Sequence, residues 1–339
     1  MDEGAAAASL AFAEKAKTAL RRAAPQAVAE RLEERHDELL LALQWFIDEQ
    51  RPNEAMRLAC SLDGFWMATQ RLDEGATWFD RVLAMPGGDE AQRGQALFQA
   101  GLLVFWTGDD ERAAGVHQEA LEIGRRIGDP TVTAEALSGL ARIALRTDVE
   151  EARRLCREAL EITNGTADRL GRGNALHVLA VGAQMAGDFL EARELMRQRI
   201  AMAREEGNLA TVGSESGNLS MVERQLGDLD AADALAREAL TISDLRGDSW
   251  AIPYGLSGLA AISAERGEFK RAAILIGAAE ARMVAQGAEW PPDERPHYER
   301  TIAASREAMG SSDFEQARTI GQGMTPREAV DLALTARSG

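Results

Sequence analysis

One alanine returns along this chain at an almost fixed interval, and that interval limits the fold more than any other feature. It stands at Ala76, Ala113, Ala152, Ala192, Ala232 and Ala272, so the spacings are 37, 39, 40, 40 and 40 residues. It belongs to phrases such as "GDDERAAGVHQEAL" (108–121), "GDFLEARELMRQRI" (187–200) and "GDLDAADALAREAL" (227–240). Six units at a nearly constant period predict a solenoid, in which one small motif recurs and buries its apolar face only against its neighbours.

The phrase itself predicts two helices joined by a tight turn. Glycine ends the first helix in the left-handed conformation. Aspartate then accepts from the unpartnered N–H groups that open the second. The third unit has Thr147-Asp148 in place of Gly-Asp, and the first has Arg71-Leu72. Seven residues before each turn stand Gly64, Gly101, Leu140, Ala180, Ser220 and Ala260, mostly small. Twelve residues after it stand Leu83, Ala120, Ala159, Arg199, Ala239 and Ala279, mostly alanine. Small residues on both helices let their backbones approach. This is the tetratricopeptide repeat pattern in a variety of about 40 residues. The fold class expected is all-α: a right-handed superhelical solenoid of about six helix pairs, with a concave and a convex side.

First helices are predicted at about 53–70, 92–107, 132–146, 172–186, 212–226 and 251–266. Second helices are predicted at about 73–85, 110–127, 149–163, 189–206, 229–246 and 269–286. Ahead of them, residues 28–50 read as one long amphipathic helix with Leu32, Leu39, Leu43 and Phe46 at helical spacing. Behind them Pro291-Pro292 breaks the last repeat. A helix to Met309 follows, then a short one after Ser311-Ser312. A capping box at Thr325 and Glu328, with Pro326 first in the helix, opens the last. The expected division is an N-terminal segment 1–50, repeats 51–286 and a C-terminal cap 287–339. Terminal helices unlike the repeats would cover the exposed ends of the stack.

Charge narrows the partners. The net charge is −17, and the basic pairs Arg21-Arg22, Arg125-Arg126 and Arg153-Arg154 are interleaved with glutamates on helical patterns. Such a chain repels phosphate backbones, so direct nucleic-acid binding is not expected. No stretch of about 18 uncharged apolar residues is present, and Asp2 and Glu3 stand where a secretory leader carries positive charge. Cys60 and Cys156 each sit in an apolar helical pattern, which reads as two buried free thiols in a reducing compartment. The location expected is cytoplasmic.

Catalytic and metal constellations do not emerge. No two of His36, His117, His177 and His297 share the i, i+4 spacing of a helical metal site. His117 falls where the repeat packs an aromatic ring and reads as a core or edge histidine. There is no G-x-S-x-G, no phosphate-binding G-x-x-x-x-G-K-[ST] and no strand before the glycines at 171 and 173. No cofactor or metal is expected. Most aromatic mass lies near one end, with Trp45, Trp66, Trp78 and Trp106 beside Phe46, Phe65, Phe79, Phe98 and Phe105. One reading is a thick core where the N-terminal helix docks. The sharper one is an apolar pocket at Phe65, Phe98, Leu102 and Phe105.

Three stretches together resemble one family. "ERLEERHDELLLALQWFIDE" (30–49) and "RLACSLDGFWMATQRLDEGATWFDRVLA" (57–84) resemble the helical region that follows the nucleotide-binding module in large bacterial signal-transduction ATPases. Those are multidomain transcriptional regulators of the MalT, LuxR and AfsR-like type. The stretch from Ala272 to Leu334 resembles their tail. The resemblance runs from about residue 10 to residue 336, specific at both ends and generic in the repeats. The ATPase and helix-turn-helix motifs of those regulators are missing, so neither activity carries over. What the resemblance implies is the sensor arm, which receives an inducer or partner. An ATPase and DNA-binding module in cis or in trans would then be a further partner.

In a tetratricopeptide repeat the first helix of each pair lines the concave face. Counting back 13, 10, 6 and 3 residues from the turns at 187, 227 and 267 selects Asn174, His177, Val181 and Gln184; Ser214, Gly217, Met221 and Arg224; and Tyr254, Ser257, Ala261 and Ala264. The turns at 71 and 108 select Leu58, Ser61, Phe65 and Ala68, then Gln95, Phe98, Leu102 and Phe105. The ligand-binding candidates are therefore Asn174, His177, Gln184, Arg224, Tyr254 and Ser257 at a polar end, and Phe65, Phe98, Leu102 and Phe105 at an apolar end. Arg224 is the one fixed positive charge among them. The function expected is a non-catalytic scaffold that holds a peptide, a protein or an amphipathic small molecule. An enzyme using a groove pocket is the alternative.

Overall fold

The structure is a computed structural model of the 339-residue chain and describes residues 1–22, 25–166, 168–290 and 295–335. Among these residues every regular element is an α-helix. Three helices lead: α1 (Glu3–Arg22), α2 (Pro25–Glu34) and α3 (His36–Asp48). Six pairs follow: α4 (Pro52–Ala68) with α5 (Leu72–Leu83), α6 (Glu90–Thr107) with α7 (Asp110–Ile127), α8 (Pro130–Ala144) with α9 (Val149–Ile162), α10 (Arg169–Met185) with α11 (Phe189–Glu205), α12 (Leu209–Gln225) with α13 (Leu229–Arg246), and α14 (Ile252–Glu265) with α15 (Phe269–Ala285). Three close the chain: α16 (Arg295–Met309), α17 (Ser311–Gln322) and α18 (Pro326–Leu334). The pairs start and stop within three residues of the ranges read from the repeat. The chain forms two compact units, Met1–Met202 and Ala203–Gly339.

The turns have the chemistry their residues predict. Gly108, Gly187, Gly227 and Gly267 adopt φ between 78° and 91°, where a Cβ would be strained. Asp109, Asp148 and Asp228 accept from the backbone N–H three residues on, each at 3.0 Å. The first pair departs from the expected register. Its left-handed residue is Gln70 (φ 58°), and Arg71 precedes α5. The small residue facing the first helix is then Gly75, one position before Ala76. A Cβ on Gly75 would lie 2.8 Å from the Trp66 ring, so the bulk of Trp66 requires glycine there.

The N-terminal segment also departs from one long helix. It is three helices, broken between α2 and α3 at Arg35 (φ −111°, ψ 13°). The Arg35 guanidinium lies 4.1 Å from the centre of the Phe12 ring of α1, and its Nε donates to Glu38 at 3.0 Å. Its exchange of helical geometry for these two contacts brings α1 against α3 and α4. Ser9 of α1, fully buried, donates to Glu38 at 2.9 Å.

The first unit's main core lies among α1, α3, α4, α5 and α6, where Trp66 and Phe79 meet edge to face at 5.9 Å. Phe65 is part of this core and has no exposed surface. Phe98 and Phe105 are 4% and 6% exposed. The apolar groove end expected at Phe65, Phe98 and Phe105 is therefore core, because large rings gain more from full burial than a groove wall provides. Leu102 keeps partial exposure. His117 is buried between α6 and α8: a Cβ on Gly101 or Gly139 would lie 2.5 or 2.4 Å from its imidazole.

The second unit's core lies among α13, α14, α15 and the three closing helices. Glycine decides how α17 reaches α15. A Cβ on Gly277 would lie 2.0 Å from the Arg318 carbonyl oxygen, and one on Gly321 would lie 1.9 Å from that of Ile274. The two backbones touch. Glu280 of α15 fixes the same crossing by accepting from Arg318 Nε at 2.7 Å and Nη2 at 3.0 Å, and from the Tyr298 hydroxyl of α16. The last carbonyls of α18 accept from Arg237 and Arg271: Arg271 Nη2 is 3.0 Å from Leu332 O and 2.9 Å from Ala333 O. This geometry satisfies helix-end acceptors that have no partner within the helix. The capping box at Thr325 and Glu328 is formed.

Candidate functional site

A cavity of about 300 Å³ opens in the second unit. Its two long walls are α12 and α14. Ser214, Gly217, Met221 and Arg224 lie on one face of α12, at intervals of three and four residues. Tyr254, Ser257 and Ala261 lie on one face of α14. These are seven of the eight positions that the repeat selects for the last two pairs. Ala264, the eighth, is packed away at 9% exposure. Helical spacing puts such residues on a common face, and pairing of α12 with α13 and α14 with α15 leaves those faces to each other.

The polar groups differ in what already holds them. Arg224 Nε donates at 3.2 Å to both carboxylate oxygens of Glu265 on α14, and Nη2 reaches the same carboxylate. Arg224 is the one arginine among the positions the repeat selects and is ion-paired, and a second arginine from outside that set lines the wall. Arg246, the last residue of α13, is 5% exposed. Burial lowers the pKa of its guanidinium, and the nearby carboxylate of Asp248, also in the wall, opposes the shift. Ser220 donates to Ala232 O at 2.8 Å and Ser243 to Ala239 O at 2.9 Å. Both hydroxyls are engaged with backbone carbonyls, not with a base.

Residues after the last pair close the cavity. Trp290 stacks on Tyr298 with ring centres 4.7 Å apart and meets Tyr254 edge to face at 5.5 Å. His297 and Thr301 of α16 complete the lining. His297 Nδ1 lies 2.6 Å from Arg300 Nη2. Repeat counting missed Arg246, Trp290, His297 and Thr301. Arg246 resembles any arginine that complements a helix C-terminus from solvent. Trp290 stands before the double proline, which reads as punctuation; its ring before Pro291 was the available signal.

The other candidates lie in the first unit. Asn174, His177 and Gln184 sit on α10, each partly exposed. Among the described residues no three His, Cys, Asp or Glu side chains are placed to hold a metal ion. Packing pushes the Cys60 and Cys156 thiols up to about 12, so both are protonated at neutral pH. No described helix is long and apolar enough to cross a membrane.

Residues 132–205 and 217–243 match tetratricopeptide repeat family models. The chain carries tetratricopeptide repeats. The second match covers part of α12 and most of α13, so it reaches into the cavity wall. Curated relatives include proteins of Mycobacterium bovis and Mycobacterium tuberculosis that bear the provisional name HTH-type transcriptional regulator. Each is 27% identical over 172 residues, which is 48% of this chain and 19% of the relative. The match thus spans about a fifth of those proteins' length. Among solved structures, the signal-transduction ATPase with a tetratricopeptide repeat sensor from Pyrococcus horikoshii superposes with a TM-score of 0.55 at 14% identity, over 90% of this chain and 47% of that one. The Rap protein complexed with competence and sporulation factor gives 0.55 at 13% identity, over 92% and 99%. BtubC of P. vanneervenii gives 0.53 at 19% identity, over 66% and 91%.

Proposed function

We propose that this chain is a ligand-holding sensor arm of a bacterial regulator, and that it receives a small molecule in the cavity between α12 and α14. The observation that carries the reading is the convergence of the repeat's inward positions on one cavity. Seven of those positions, chosen by spacing alone, line a space of about 300 Å³. That volume is at the lower end of the roughly 300–1,000 Å³ typical of small-molecule sites, which combine apolar walls with a few placed polar groups. The curated relatives named as transcriptional regulators support the regulatory half of the reading. The neighbours named as a tetratricopeptide repeat sensor and as a Rap protein complexed with competence and sporulation factor support the binding half.

The hydroxyls held by backbone carbonyls and the protonated thiols favour binding over chemistry. A nucleophile needs a base within hydrogen-bond reach, and Ser220 and Ser243 instead donate to the helix. The test is a thermal-shift screen of the full chain against a small-molecule library, with each stabilising compound recovered and examined by mass spectrometry. Stabilising compounds recovered unchanged are the expected result. Recovery of a transformed compound overturns the binding reading in favour of an enzyme.

A further inference from the structure

Glycines inside helices of the second unit fall into two kinds. Some are required by a neighbour. At Gly277 and Gly321 another backbone occupies the place of a Cβ, and at Gly213 and Gly255 the side chains of Ile242 and Leu240 come within 3.0 and 3.1 Å of it. Gly217 on α12 and Gly258 on α14 are different. Nothing lies within 4 Å of a Cβ built on Gly258, and only the Ala239 Cβ, at 4.0 Å, approaches one on Gly217. Glycine is a poorer helix former than alanine, and here no packing contact requires it. Both residues line the cavity, so each long wall offers bare backbone against which the face of a flat ring can lie. The Tyr254–Trp290 pair offers aromatic surface in the same cavity.

The polar lining sorts by charge. Its charged groups are already matched: Arg224 holds the Glu265 carboxylate, and Arg246 is engaged with the Asp248 carboxylate nearby. The His297 ring meets Arg300. The hydroxyls of Ser214, Ser220, Ser243 and Thr301 donate to backbone carbonyls. Two neutral groups are left. Among the described residues the Asn218 carboxamide and the Ser257 hydroxyl have no hydrogen-bond partner, and they line the cavity from α12 and α14, each partly exposed. An ion of either sign would give up its water for a wall whose charges are matched, a loss that nothing there repays. A carboxamide suits a neutral ligand: its oxygen accepts and its nitrogen donates, so an edge with one donor beside one acceptor satisfies both ends. The Ser257 hydroxyl can donate to that edge or accept from it.

We infer that the cavity takes a small, uncharged, flat cyclic amide, its N–H and C=O edge on Asn218 and Ser257 and its ring against Gly217, Gly258 and the Tyr254–Trp290 pair. The inference rests on the reading of this cavity as the ligand site and names the ligand class. The test is calorimetry of the full chain with four bicyclic probes: 2-quinolone, N-methyl-2-quinolone, which lacks the N–H, the anion 2-naphthoate and the cation N-methylquinolinium. It is repeated in Asn218→Leu, in Ser257→Ala and in Gly258→Leu, which fills open space, with circular dichroism confirming that each variant is folded. The expected result is 2-quinolone binding about tenfold or more tighter than the other three, because a site built to hydrogen-bond a group rejects the analogue that lacks it. Its preference over the N-methyl compound should fall below about threefold in Asn218→Leu, and its binding should weaken about threefold in Ser257→Ala and disappear in Gly258→Leu. Ser257→Ala keeps the hydrogen-bonding edge open to refutation if Asn218→Leu does not fold. Either ion or the N-methyl compound binding as tightly as 2-quinolone, with binding lost in Gly258→Leu, overturns the amide class and leaves the cavity reading standing. Unchanged 2-quinolone binding in Asn218→Leu and Ser257→Ala does the same. Binding of 2-quinolone that survives Gly258→Leu overturns both. No binding of any probe overturns the class alone, since the library screen tests the cavity reading without assuming it.

Discussion

Arg224 on α12 and Glu265 on α14 join the two walls of the cavity through a two-oxygen contact, with Nε 3.2 Å from each carboxylate oxygen. The pair is lopsided in exposure: the arginine side chain is 14% exposed and the glutamate 41%. The glutamate therefore competes with any anion for a guanidinium that faces inward. For an acidic compound recovered by the library screen, Glu265→Gln is expected to tighten binding about threefold, and Arg224→Ala to weaken it about tenfold. A charge-assisted hydrogen bond is worth roughly 1.5–3 kcal/mol, and about 1.4 kcal/mol is tenfold in affinity. Melting temperature should change little in Glu265→Gln, because the carboxylate is 41% exposed and a pair with an exposed partner is worth at most about 1 kcal/mol. Calorimetry on both variants checks the opposite signs; equal effects in the same direction would contradict the competition.

The two kinds of helix glycine should respond oppositely to one added methyl. Gly217→Ala and Gly258→Ala are each expected to stabilise the chain by about 0.5–1 kcal/mol, since alanine is the better helix former and the space is open. Gly277→Ala is expected to destabilise it by about 1–3 kcal/mol, the usual cost of overpacking, because the Cβ would meet the Arg318 carbonyl. Urea unfolding of the three variants measures both signs.

His117 makes stability depend on pH. Burial, with Arg142 adding to it, lowers its pKa from 6.5 to about 3. The unfolded chain therefore binds a proton below pH 6.5 that the folded chain refuses until about pH 3. The contribution is fully present above pH 6.5 and is lost as pH falls between those values, at about 1.4 kcal/mol per pH unit. In His117→Leu the slope of unfolding free energy between pH 6 and pH 4 should be shallower by about that amount. An unchanged slope would mean that the imidazole is not held neutral between Gly101 and Gly139.

Removal of residues 325–339 takes away α18, whose Ala329, Val330 and Ala333 are buried. It also strips Arg237 and Arg271 of the carbonyls that accept from them. The truncated chain is expected to melt lower and to associate, which light scattering would detect. A monomer of unchanged melting temperature would show that α18 is not a cap.

Sequence spacing revealed the turns and seven of the residues that line the cavity for the same reason. A left-handed glycine followed by a capping aspartate is a local requirement, and once those turns are placed the faces of α12 and α14 follow by helical geometry. What stayed hidden depended on contacts distant in sequence. The first turn slid to Gln70 because Trp66 needs Gly75. The N-terminal helix broke at Arg35 because Phe12 and Glu38 hold that side chain. Phe65, Phe98 and Phe105 have the same spacing as groove residues, but their size sends them to the core. Arg246 entered the wall from the end of α13, where the sequence shows only a charged residue before a glycine.

The central claim, that the cavity between α12 and α14 is the ligand site, is met most directly by hydrogen–deuterium exchange with and without a stabilising compound from the library screen. Slowed exchange confined to residues 209–225, 246–265 and 295–301 is the expected result. Protection confined to α6, α8 or α10, with α12 and α14 exchanging as in the free chain, would contradict it.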